Sequence, residues 1–149
     1  MHRLATLLLT ALTAISAPAA AKTCSLEIEA NDRLQFSKSR LVVPAACERV
    51  ELTLHHVGTL PVRQMGHNWV LSRSAVFRVL AQDGMRAGLD NGYLPPGDDR
   101  ILAATDLVGG GERTRVTFDV TALEPGGDYT FFCSFPGHYG AMNGTLVVR

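Results

Sequence analysis

The sequence predicts an all-β sandwich or barrel carrying one short helix. Three observations lead there. Apolar and polar residues alternate at period two in segment after segment; glycine, proline and asparagine gather between those segments; and a single stretch replaces the alternation with helical spacing. Leu26 and Ile28 alternate with Ser25, Glu27 and Glu29. Arg40 to Pro44 is an extended apolar run, rich in β-branched valine and stopped by the proline. From Glu48 to His56, the residues Val50, Leu52, Leu54 and His56 share one face, with Glu51, Thr53 and His55 on the other. Gly66 to Leu71 sets His67, Trp69 and Leu71 on one face. The stretch Ser74 to Met85 instead places Ala75, Val76, Val79 and Leu80 at helical spacing, with Ser74 as N-cap and Gly84 near the stop. Asp90-Asn91-Gly92 and Leu94-Pro95-Pro96-Gly97-Asp98 are turn chemistry, so Ser72 to Arg100 reads as an excursion between two strands. Beyond it, Val116, Phe118 and Val120 oppose Arg115, Thr117 and Asp119; Tyr129, Phe131 and Cys133 share a face; Gly144 to Arg149 closes the chain.

The first 21 residues stand apart from this pattern. His2 and Arg3 precede an apolar run from Leu4 to Ile15, which ends in the small residues Ala17-Pro18-Ala19-Ala20-Ala21. That is the form of a secretory signal peptide, and the run is too short to span a bilayer. We expect cleavage after Ala21, export to the periplasm, no membrane insertion, and one domain over residues 22–149. The chain carries 14 basic and 14 acidic side chains, which excludes a strongly basic nucleic-acid binder. Hydrophobic residues make up 46%, enough for a single core.

Three cysteines are an odd number for an oxidising compartment. Cys24 and Cys47 both lie in the N-terminal third, and their pairing would close a loop contributing about 3 kcal/mol through chain entropy. Cys133 is then left over. By itself it could be a buried thiol acting as a small hydrophobe. Its neighbours suggest otherwise: Cys133-Ser134-Phe135-Pro136-Gly137-His138-Tyr139-Gly140-Ala141-Met142 brings a thiol, an imidazole and a thioether into one short loop containing Pro and Gly. Upstream, Met65-Gly66-His67-Asn68-Trp69 offers a second histidine on a strand. One thiolate, two imidazoles and a weak thioether are the donor set of a type 1 copper site, because soft sulfur suits Cu(I) while imidazole serves both oxidation states. Zinc is the chemical rival, but structural zinc prefers several cysteines and makes little use of a thioether.

These motifs resemble the azurin group of the cupredoxin family, the blue copper proteins. The resemblance runs from Cys24 to Arg149. It rests on Met65-Gly66-His67-Asn68-Trp69-Val70-Leu71, on Asp83-Gly84-Met85, and on Phe131-Phe132-Cys133-Ser134-Phe135-Pro136-Gly137-His138 with Met142. It implies an eight-stranded Greek-key sandwich with one external helix. It further implies that one copper ion is held by His67, Cys133 and His138. Met142 and the Gly66 carbonyl oxygen would be weak axial contacts, and Asn68, Ser134 and Phe135 would hold the ligand loop. Trp69 would be core, and His56 would lie near the metal without binding it, as a satisfied core histidine or a pH-responsive neighbour. His55 would face outward, and neither Met65 nor Met85 would be a ligand. An apolar docking face would form from Leu34, Leu60, Met65, Phe135, Pro136, Gly137, Gly140 and Ala141. Gln64, Tyr139 and Ala141 differ from many relatives and would leave that face smaller and more polar at its edge.

The implied function is one-electron transfer between periplasmic redox proteins, such as c-type cytochromes or a periplasmic reductase or oxidase, with the chain acting as a monomer. Two rivals differ in what they need. A copper oxidase or nitrite reductase needs a second metal with further histidines, and beyond His67 and His138 residues 22–149 hold only His55 and His56. A copper store or resistance factor favours an exposed, exchangeable site rich in Met or Cys.

Overall fold

The computed structural model describes residues 21–149; residues 1–20 of the expected signal segment lie outside the described residues. Two sheets face one another. The first has the order β2-β1-β4-β7, built from β1 (Thr23–Asn31), β2 (Gln35–Phe36), β4 (Arg49–His56) and β7 (Arg113–Asp119). The second has the order β3-β9-β8-β5-β6, built from β3 (Arg40–Val43), β5 (Val70–Arg73), β6 (Ala103–Ala104), β8 (Tyr129–Phe132) and β9 (Asn143–Val148). Because β1 pairs with β4 in parallel, and β3 with β9 likewise, the chain crosses between layers rather than running in simple hairpins. The layers, the alternation and the external helix match the all-β expectation. Counting the two-residue pieces β2 and β6, the sheets hold four and five strands, where eight strands were expected.

Period two accounts for the core. In β4 the expected inward set Val50, Leu52, Leu54 and His56 is buried, and each intervening residue is partly open. Ile28, Leu41, Val43, Trp69, Leu71, Phe118, Tyr129, Phe131, Leu146 and Val148 fill the space between the sheets. Trp69 stacks with Phe118 at 5.8 Å and Phe131 at 6.0 Å between ring centroids. Its Nε1 has no hydrogen-bond partner, so the ring is retained for packing.

Two local expectations change. The segment from Gly66 is a strand only from Val70 onward; His67 makes one isolated bridge to Val108, although the face shared by His67, Trp69 and Leu71 is buried as expected. The helix, α2 (Phe77–Gly84), starts later than Ser74 and has no side-chain cap. Ser74 is diverted: its Oγ lies 2.7 Å from both Asp128 Oδ1 and Thr130 Oγ1, fastening the chain to the start of β8. The buried face of α2 is Phe77, Leu80, Ala81 and Gly84, while Val79 is 53% exposed. Phe77 selects that face, because its ring packs on Phe132 at 5.8 Å on the outer side of the second sheet. A small second core of Val70, Phe77, Leu80, Ala81 and Phe132 results, and this is why β8 is buried on both faces. A one-turn helix, α1 (Val62–Met65), precedes β5.

Cys24 and Cys47 form a disulfide with a Cα–Cα separation of 5.9 Å, leaving Cys133 free and buried. The bridge lies where β1 and β4 begin, with Cys24 beside Val50, whereas His56 ends β4 at the other pole. At about 3.3 Å per residue the two poles are on the order of 20 Å apart. Replacing both cysteines by alanine is therefore expected to cost about 2–5 kcal/mol of unfolding free energy, read from denaturant titration, and to leave the other pole unaltered. Thiol counting on the denatured wild-type chain should find one free cysteine; three would refute the pairing.

Candidate metal centre

Strands β5 and β8 run antiparallel with Val70 opposite Phe132. The residues just before Val70 and just after Phe132 therefore leave the sheet side by side. That geometry sets His67 and Asn68 against Cys133 and Ser134, although they are far apart in sequence. Hydrogen bonds then fasten the two segments. Ser134 N–H donates to Asn68 Oδ1 at 2.9 Å, and Asn68 Nδ2 donates to Ser134 Oγ at 2.7 Å. Ser134 Oγ–H donates to the Gly92 carbonyl at 2.7 Å, and Asn68 Nδ2 approaches the same oxygen at 3.2 Å. Asn68 and Ser134 thus join the two segments, with the Gly92 carbonyl as a shared third partner.

The loop after Cys133 closes on itself. His138 N–H donates to Phe135 O at 3.0 Å, Met142 N–H to His138 O at 2.8 Å, and Cys133 N–H to Met142 O at 3.0 Å. His138 and Met142 are in this way returned to the neighbourhood of Cys133. Cys133 Sγ stands 3.7 Å from His67 Nδ1, 3.6 Å from His138 Nδ1 and 3.8 Å from the Gly66 carbonyl oxygen. Bonds of about 2.3 Å to sulfur and about 2.0 Å to nitrogen, at angles near 120°, would put sulfur and nitrogen about 3.7 Å apart. The three donors thus already stand at ligand spacing, and the set fits a soft first-row metal ion. The structure brings together Gly66, His67, Cys133 and His138, and folds Met142, itself fully buried, into the same loop.

Burial governs the electrostatics. It pushes the Cys133 thiol up to about 12, against the backbone N–H groups of Asn68 and Phe135, which favour the thiolate. It pushes His67 and His138 down to about 4. At neutral pH the pocket therefore presents neutral imidazoles with open lone pairs. His67 Nε2–H donates to the Asn31 carbonyl at 3.0 Å, which fixes the tautomer and turns Nδ1 toward the sulfur. Were a cation held here, the thiol would have to give up its proton, and the backbone N–H groups of Asn68 and Phe135 would favour the thiolate that remains.

His56 is fully buried and stacks on His67 with ring centroids 4.4 Å apart and planes 19° from parallel. Its Nε2 donates to Met65 O at 2.9 Å, and its Nδ1 accepts from Gly58 N–H at 3.1 Å, so both ring nitrogens are satisfied by backbone. Beside it, Asp32 accepts from Thr59 N–H at 2.7 Å, a bond that holds the carboxyl below its ordinary value. His55 is partly open on the outward face, and Met85 is 43% exposed. Leu34, Leu60, Met65, Phe135 and Pro136 are half-buried, and Gly137, Gly140 and Ala141 are exposed, on loops at this pole. Gln64 is exposed, but Tyr139, expected at the edge of the apolar face, packs against the second core beneath α2.

Three contributors escape residue-by-residue reading. The carbonyls of Asn31 and Gly92 act as backbone acceptors, which no side-chain type announces. Asp32 had only its place beside the Asn31 turn to mark it.

The matches with known proteins cover the chain described above. A family model for copper binding proteins, the plastocyanin/azurin family, matches residues 22–149. An azurin of Bordetella pertussis is 51% identical over 133 residues, covering 89% of each chain. An azurin of Pseudomonas aeruginosa is 46% identical over 138 residues, covering 93% of each. A solved structure of the azurin Az-iso2 from Methylomonas sp. strain J superposes with a TM-score of 0.82 at 42% identity, covering 85% of this chain and 98% of that one. A family match that takes in both sheets and every donor of the pocket places this chain in the plastocyanin/azurin family of copper binding proteins, as a blue copper electron-transfer protein and not an enzyme.

Proposed function

We propose that His67 Nδ1, Cys133 Sγ and His138 Nδ1 hold one copper ion, with the Met142 thioether and the Gly66 carbonyl as weak axial contacts. In this reading the protein shuttles single electrons between periplasmic redox proteins such as c-type cytochromes or a reductase or oxidase. The observation that carries it is the spacing of the three donors, held at ligand distance by the protein's own hydrogen bonds. Copper supplies the one-electron Cu(I)/Cu(II) chemistry when bound. The chain's part is to keep the donors still. His67 is fixed through the Asn31 carbonyl, Cys133 through the backbone bond to Met142, and the loop through Asn68 and Ser134. Donors that do not depend on the ion for their positions suit both charge states, so little rearranges when an electron passes. The burial of His67, Cys133 and Met142 argues against an exchangeable storage site. Export is supported by the family match, which begins at residue 22, directly after the expected cleavage point, and by the disulfide.

His138 is 5% exposed while His67 and Cys133 are closed to solvent, so His138 is the electron port. The exposed residues Gly137, Gly140 and Ala141 surround it in sequence and offer a partner an uncharged surface. Encounters of this kind are small and transient.

Copper titration with visible and EPR spectra tests the whole reading: one tightly held, intensely blue ion per chain is expected. Cys133→Ser should abolish the blue band while leaving the fold, since the sulfur supplies the charge transfer; a surviving band would refute the assignment. Met142→Gln should lower the reduction potential with copper still bound, because a harder oxygen donor favours Cu(II); an unchanged potential would make Met142 a core residue only. Ala141→Lys should leave the spectrum unaltered and slow electron self-exchange several-fold. An unchanged rate at two salt concentrations would move the port elsewhere.

A further inference from the structure

Tyr93 has a positive φ of 54°, a conformation that costs a bulky side chain free energy. Several contacts hold it there. Its N–H donates to Gly88 O at 2.9 Å, and the preceding residue, Gly92, itself at φ 59°, offers its carbonyl to Ser134 and Asn68. Behind it stands the C-terminal end of α2. A Cβ on Gly84 would come within 2.1 Å of the Tyr93 carbonyl oxygen, so only glycine lets the helix abut this turn. In front, the Tyr93 ring meets Phe135 edge-on, at 5.3 Å and 73°. Phe135 in turn lies over the His138 ring at 4.5 Å and 32°. Rigid contacts therefore run from the helix through Tyr93 and Phe135 to the one donor that reaches the surface. His67 has the Asn31 carbonyl to orient it; His138 makes no hydrogen bond through Nε2 among the described residues.

We propose that Tyr93 is a positioning residue, which sets the orientation of the His138 ring through Phe135 where no hydrogen bond at Nε2 does so. Backbone strain of this kind persists where surrounding contacts over-determine it, and here it accompanies an aromatic ring packed edge-on against Phe135. The excursion carrying α2 thereby acts on the metal centre, as a backing for the Gly92–Tyr93 turn. The proposal rests on His138 being a ligand.

The test compares Tyr93→Phe, which keeps the ring, with Tyr93→Gly, which removes the ring and also relieves the positive φ. Ring resonances of His138 and Phe135 are followed by NMR in the metal-free protein, and copper dissociation into a chelator is timed in the loaded one. An edge-on aromatic contact corresponds to about a 2- to 10-fold change in conformer ratio. Tyr93→Gly should therefore broaden or multiply the His138 resonances and speed copper loss by about that factor, while Tyr93→Phe matches wild type. Sharp, unshifted His138 resonances in Tyr93→Gly would overturn the proposal, as would Tyr93→Phe behaving like Tyr93→Gly. If Tyr93→Gly does not fold, Tyr93→Asn, which also tolerates the left-handed region, replaces it under the same criteria. The metal-free spectra report ring order whether or not His138 binds copper. Failure of the ligand assignment would show separately, as a His138→Ala protein that retains the wild-type blue spectrum.

Discussion

A thiol and two imidazoles, all buried, have to be kept within ligand distance of one another by the protein itself. Removing these groups from solvent is costly unless each ring nitrogen and each nearby backbone group finds a partner. The antiparallel pairing of β5 with β8 is what makes this possible. It brings the ends of both strands to the same edge, and the reciprocal bonds between Asn68 and Ser134 join them where the ladder stops. Without that junction His67 and Cys133 would belong to separate loops.

The polar groups buried at this pole are satisfied almost entirely by backbone. Asn31, Met65 and Gly92 each lend a carbonyl, to His67, His56 and the Asn68–Ser134 pair in turn. Such acceptors are fixed by the fold rather than by rotamers, so the site inherits the stiffness of the sheets. Deeper in the core the rule is relaxed: Trp69 keeps an unpartnered Nε1 because its ring fills the gap between Phe118 and Phe131. Stiffness at the site and packing in the core are thus separate uses of neighbouring residues in one segment.

The molecule is also polar in layout. The disulfide closes the pole where β1 and β4 begin, and the donors sit at the pole where β4 ends. Covalent constraint therefore acts on the unfolded chain without reaching the chemistry. The helical excursion lies outside the second sheet, where its small core covers Phe132 and takes in Tyr139 from the ligand loop. Strand β8 is consequently gripped from both sides immediately before Cys133, and the loop that follows departs from a fixed point.

Sequence by itself determined the two-layer β architecture, because period two leaves an inward face at every strand, and the shared face of Val50, Leu52, Leu54 and His56 is buried as read. It also marked the candidate donors, since a thiol, an imidazole and a thioether fall within ten residues of one another. The tertiary structure decided what depends on neighbours distant in the chain. The start of α2 moved from Ser74 to Phe77 because Asp128 and Thr130 claim the serine hydroxyl and Phe132 claims the phenylalanine ring. Tyr139 packs half-buried at the edge of the second core because α2 built an apolar surface beside it. The acceptors of Asn31 and Gly92 became visible only on folding, since every residue carries a carbonyl and only the path of the backbone selects which ones face the site.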